Sequence, residues 1–122
     1  MEWSFQDGLP IWQQLYETLR REIAIGGYAP GSKMPTVREL AAQAGVNPNT
    51  MQRALSQLES DNLVITNRTA GRTVTEDREI LENVRRELAK RQIQTYLQQM
   101  ALLGYTSQEA AQLLIQEKEE TP

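Results

Sequence analysis

Residues 36–62 limit this chain more than any other stretch, because they spell two helices joined by a sharp turn. Thr36 can cap the first helix, with Glu39 three residues on to complete a capping box. Gly45 supplies the left-handed residue that ends it. Asn47 then caps a second helix, and Pro48 takes its first position, where a missing N–H costs nothing. Asn62 can close that helix. Leu40, Ala41, Ala44 and Val46 are apolar, as are Met51, Ala54, Leu55 and Leu58, the last four at helical spacing. The two helices therefore share a small core.

The outward side of the second helix carries Asn49, Thr50, Gln52, Arg53, Ser56 and Gln57, with no carboxylate before Glu59. Solvated helix faces ordinarily mix Glu with Lys. Here Arg53 is the only charge between Asn49 and Leu58. Asn, Gln and Arg can match base edges bidentately in a major groove, and Thr and Ser suit phosphates. The pair reads as a DNA-binding helix-turn-helix.

The charge balance fits a small, directed footprint. The chain of 122 residues carries a net charge of −3, which would oppose loose coating of a polyanion. Residues 1–75 hold seven basic and seven acidic side chains, so the excess of acid lies beyond them. Between residues 33 and 72 five cations face three carboxylates. Local field, rather than the total, steers a ligand. With no cysteine and no histidine, the chain lacks disulfides, thiol nucleophiles, the usual zinc ligands and imidazole chemistry. No phosphate-binding glycine loop is present, and Ser56 and Ser60 have no base to activate them, so no enzyme and no cofactor are expected. There is no twenty-residue apolar run, and Trp3 and Phe5 sit among polar neighbours rather than in a signal peptide, so a soluble cytoplasmic protein is expected.

Around the helix pair, Met1–Leu9 reads as an extended lead-in, either a brief strand or an apolar tether. Pro10 opens a helix to about Ile25, with Ile11, Leu15, Leu19 and Ile23 as its stripe, widened by Trp12 and Tyr16. Residues 28–35 form a turn-rich connector. Residues 63–66 and 73–75 are β-type runs around the polar turn 67–72, a hairpin with Arg68 and Arg72 at or near its tip. Three helices and a hairpin make a winged helix-turn-helix, whose tip arginines could enter a minor groove or simply be solvated.

Pro-Ile-Trp-Gln-Gln-Leu-Tyr-Glu-Thr-Leu-Arg-Arg-Glu-Ile (10–23), Pro-Gly-Ser-Lys-Met-Pro-Thr-Val-Arg-Glu-Leu-Ala (30–41) and Gly-Val-Asn-Pro-Asn-Thr-Met-Gln-Arg-Ala-Leu (45–55) resemble the GntR family of bacterial transcription regulators. The resemblance implies that Arg38 and Arg53 reach DNA from the two helices. It implies that Asn47, Asn49 and Thr50 form the contacting start of the recognition helix, and that Gly71 is the wing-tip glycine. Gln52, Arg68 and Arg72 complete the expected DNA-binding set, with Thr36 and Lys33 positioning the backbone. The wing departs from the family's commoner Arg-Arg-Gly-Arg-Gly-Thr, reading Asn67-Arg68-Thr69-Ala70-Gly71-Arg72.

The expected fold is mainly α with a small β-hairpin: a winged helix-turn-helix over residues 1–76, then a two-helix C-terminal dimerisation tail over 77–122. The first tail helix is expected over about 78–103 and ends at Gly104. Thr106 with Glu109 caps the second. Leu81, Val84, Leu88, Ile93, Leu97, Met100, Leu103, Leu113 and Leu114 are more apolar surface than two helices can bury alone. A second copy across a two-fold axis would cover it, the alternative being a fold-back within one chain. So short a tail resembles the YtrA-like subfamily, which implies a homodimeric repressor of an inverted-repeat operator on double-stranded DNA. An effector, if one exists, would be expected at the dimer interface. The other reading is a winged-helix adaptor that binds protein, supported by the acidic total.

Overall fold

The computed structural model describes residues 1–121. In chain order the elements are α1 (Ile11–Ala24), α2 (Val37–Ala44), α3 (Pro48–Ser60), β1 (Val64–Asn67), β2 (Gly71–Val74), α4 (Arg78–Leu102) and α5 (Ser107–Glu120). Two compact units are formed, Met1–Arg85 and the residues from Arg86 onward, and the division falls inside α4.

Local signals set the helix ends of the first unit. The Thr36 hydroxyl accepts the Glu39 N–H at 3.1 Å, and the Glu39 carboxylate accepts the Thr36 N–H at 3.4 Å. Gly45, at φ 70°, lets the chain leave α2 in the left-handed region. Asn47 Oδ1 accepts the Asn49 N–H at 2.8 Å and starts α3. At the far end Asn62 takes φ 62°, and the Leu63 N–H returns to the Leu58 carbonyl at 2.9 Å, closing α3 with a Schellman turn.

The core follows from the stripes. Leu15, Leu19 and Ile23 of α1, Leu40 of α2 and Met51, Leu55 and Leu58 of α3 are almost wholly buried. Leu63, Val64 and Val74 close it from the hairpin. Ile11 continues the α1 stripe by spacing, yet remains exposed, because the first turn runs past the core. Burying a side chain of this size contributes roughly 1.5–3 kcal/mol.

The hairpin pairs Val64 with Val74, Ile65 with Thr73, Thr66 with Arg72 and Asn67 with Gly71. Its turn is therefore Arg68–Ala70, shorter than the expected 67–72, and Arg72 lies in β2. The connector also does more than turn. The Met34 N–H donates to the Arg72 carbonyl at 2.8 Å, and the Val74 N–H donates to the Ser32 carbonyl at 2.9 Å. Met34 is buried there. The lead-in is a tether rather than a strand: the Gln14 amide takes the Gln6 N–H at 2.8 Å and donates to the carbonyls of Gln6 and Leu9.

In the second unit α4 runs unbroken through Lys90-Arg91-Gln92. Gly104 turns the chain at φ 93°, and the Thr106–Glu109 capping box starts α5. Tyr96 of α4 donates its hydroxyl to the Ala110 carbonyl of α5 at 2.7 Å, and Ala110 is fully buried. Beside this contact lies an open apolar cleft of about 430 Å³, lined by Ile93, Tyr96, Leu97, Ala111 and Leu114 among others.

Candidate nucleic-acid interface

Helix α3 packs on α1 and α2 through Met51, Ala54, Leu55 and Leu58, which turns the opposite side outward. Asn49, Gln52, Arg53 and Ser56 are exposed on it, and Thr50 is half-buried. Gln52 donates to the Ser56 hydroxyl at 3.1 Å, one helical turn on. The Arg53 guanidinium carbon lies 4.3 Å from the ring centroid of Trp12 in α1.

Glu59, the one carboxylate within α3, is neutralised locally. Glu59 Oε1 accepts from Arg72 Nε at 2.5 Å and from the Thr66 hydroxyl at 2.6 Å. The Thr66 hydrogen bond is the largest influence on the Glu59 carboxyl and lowers it; burial comes next and pushes it up, and the Arg72 hydrogen bond and charge add to the lowering, so the group is held below its ordinary range. The latch fixes the wing against the C-terminal end of α3.

A second brace joins α1 to the same end of α3. The Tyr16 hydroxyl donates to Asp61, and burial followed by this hydrogen bond pushes the phenol pKa upward. Gln57 also donates to Asp61, at 3.4 Å.

The start of α2, the connector and the wing base enclose a hollow of about 390 Å³ lined by Lys33, Thr36, Arg38, Gly71 and Arg72. Arg38 is exposed at its edge, and Arg68 is exposed at the wing tip. At the start of α2 the Thr36 and Glu39 N–H groups are claimed by its own capping box.

The expected DNA-binding residues therefore separate. Asn49, Gln52 and Arg53 share the outward face of α3, while Arg38 and Arg68 extend the exposed surface from α2 and the wing. Thr36 and Asn47 are engaged as helix caps, and their side-chain oxygens serve the backbone. Gly71 stands at φ 75° at the foot of the turn, so the hairpin itself requires it. Arg72 is not at the tip: it is held by Glu59, and its side chain is only 21% exposed. Trp12, Glu59 and Thr66 were not expected at the site. An aromatic on the edge of a core stripe and a carboxylate at a helix end carry no local sign of such partners.

The tail residues separate as well. Val84 is covered within its own chain, at 8% exposure, so it does not belong with the exposed apolar set. Leu81, Leu88, Leu97, Met100 and Leu113 are half-buried. Ile93 and Leu114 are each 57% exposed and Leu103 72%, and Leu102 and Ile115 stand exposed with them. Among the described residues no group of His, Cys, Asp or Glu could hold a metal ion, and no helix is long and apolar enough to cross a membrane.

Comparison with known proteins agrees with this geometry. The family model described as bacterial regulatory proteins, gntR family, matches residues 11–74, over half of the chain. An uncharacterized HTH-type transcriptional regulator of Bacillus subtilis, YhcF, is 35% identical over 109 residues, covering 89% of this chain and 90% of its own length. The HTH-type transcriptional repressor YtrA of the same organism is 35% identical over 68 residues, 56% of this chain and 52% of YtrA. Among solved structures, a GntR family transcriptional regulator from Listeria monocytogenes superposes with a TM-score of 0.80 at 33% identity, covering 92% of this chain and 98% of that one. The winged helix, the family match and the likeness to YhcF over about nine-tenths of both chains together place this chain in the GntR family of bacterial transcription regulators, consistent with its short YtrA-like branch and with no enzymatic role.

Proposed function

We propose that this chain is a cytoplasmic repressor that binds an inverted-repeat operator on double-stranded DNA as a homodimer. One observation carries the reading: the outward side of α3 presents Asn49, Gln52 and Arg53 together, and its one distal carboxylate is already paired inside the subunit. Asn49, Gln52 and Arg53 are assigned to base edges in the major groove. Arg38, Lys33 and Thr50 are assigned to phosphates, and Arg68 to the minor groove beside the wing. Thr36, Asn47, Gly71 and Arg72 act indirectly, by fixing helix starts and the wing.

The dimer is supported by Ile93, Leu102, Leu103, Leu114 and Ile115, which leave a large apolar surface open on the second unit. Leu81, Leu88, Leu97, Met100 and Leu113 flank it. A two-fold pair would present two α3 helices to successive major grooves, about 34 Å apart. The repressor role is supported by the likeness to YtrA.

Selection of bound fragments from random DNA, with solution mass measured at the same protein concentration, tests the proposal. An enriched inverted repeat and twice the mass of 13.9 kDa are expected. A single unpaired half-site bound by one copy would refute the dimer, and no enrichment at all would refute sequence reading.

A further inference from the structure

Arg53 has an intramolecular partner that its assigned role does not require. Its guanidinium lies over the Trp12 ring at 4.3 Å from the centroid, within the range of cation–π attraction. No ion pair of Arg53 is present among the described residues, so the indole is what orders its end. The platform is itself fixed. Leu15 and Leu19 anchor α1 in the core at zero exposure, and Tyr16, one turn after Trp12, is hydrogen-bonded to Asp61 at the end of α3.

Resting on the reading of α3 as the recognition helix, we propose that Trp12 is a positioning residue that orders Arg53 for guanine before DNA arrives. A guanidinium held over an aromatic face engages it through its charge and its own face, which leaves the N–H donors at its edge for another partner. Those donors match the two acceptors of guanine in the major groove. A free arginine loses much side-chain freedom when it docks, whereas a stacked one has lost part of it already.

The test is a double-mutant cycle on the operator recovered from random DNA, with random DNA at the same salt as control. Trp12→Leu keeps part of the apolar bulk and removes the π face, and Trp12→Phe restores an aromatic face. W12L is expected to weaken operator binding about three- to tenfold, the range set by ordering one long side chain. W12F should recover most of that loss, W12L should add nothing in an R53A background, and binding to random DNA should stay level. Loss that is equal in the R53A background, or equal on random DNA, would overturn the inference by making Trp12 a scaffold residue. Tighter operator binding by W12L would overturn it too, by showing that the indole parks Arg53 away from DNA. A wild-type protein that does not discriminate operator from random DNA would instead bring down the reading of α3 itself.

Discussion

Glu59 joins the wing to the recognition helix, and removing it has a calculable cost. Glu59→Ala deletes the acceptor of two charge-assisted hydrogen bonds, from Arg72 Nε at 2.5 Å and Thr66 Oγ1 at 2.6 Å. A hydrogen bond to a charged group is worth about 1.5–3 kcal/mol when protected from water. The Glu59 side chain is 34% exposed and that of Arg72 21%, so water takes over part of the role. Fully exposed pairs fall to about 0–1 kcal/mol each, and these partly covered bonds belong at the upper end of that range, about 1–2 kcal/mol together. The pH dependence has a definite sign. The folded carboxyl is held below its ordinary value of 4.5, so its contribution is fully present above that value and is lost as pH falls through the folded one. Urea unfolding followed by circular dichroism, at one protein concentration, should show E59A less stable by that amount at pH 7. The gap between wild type and variant should narrow as pH falls below 4.5. A difference under about 0.3 kcal/mol at pH 7, well below the range for the two bonds together, would refute the latch. A gap that widens in acid would refute its electrostatic origin.

Other perturbations separate the remaining elements. Arg53→Ala should cost about 1–3 kcal/mol on the selected operator and relax its sequence preference in a fluorescence titration, whereas equal loss on random DNA would assign Arg53 to phosphate. Thr36→Ala removes the cap of α2 and should lower unfolding free energy by about 1 kcal/mol, with Thr36→Ser close to wild type. Leu103→Glu places a charge on a side chain that is 72% exposed in the single chain, so it should leave the helix content intact while halving the mass measured by light scattering. A dimer that survives this change would move the interface elsewhere.

What was legible in the sequence was local. Thr36 with Glu39, Gly45, and Asn47 with Pro48 act within a few residues of themselves, and α2 and α3 begin and end where those signals stand. The core stripes were equally plain, since Leu15, Leu19, Met51, Leu55 and Leu58 repeat at helical spacing and all are buried. Ile11 shows the limit, because spacing fixes a face but not whether the core extends far enough to cover it. Residues 28–35 read as turns from their Pro and Gly, yet the backbone of Gly31, Ser32 and Met34 pairs with β2, and backbone hydrogen bonds leave no signature in side chains. Val84 and Leu88 belong to one stripe by period, and only the tertiary structure buries the first more than the second. At the site, the composition of the α3 face was readable, while the partners of Arg53 and Arg72 come from other elements.

The central claim is that the exposed side of α3 lies against DNA bases, and site-directed photo-crosslinking measures this most directly. A benzophenone side chain placed at Ser56, on that side, should crosslink to bases within the selected half-site, and the same probe at Glu79 in α4 should not. Crosslinks from Glu79 but none from Ser56 would show that DNA meets a different surface.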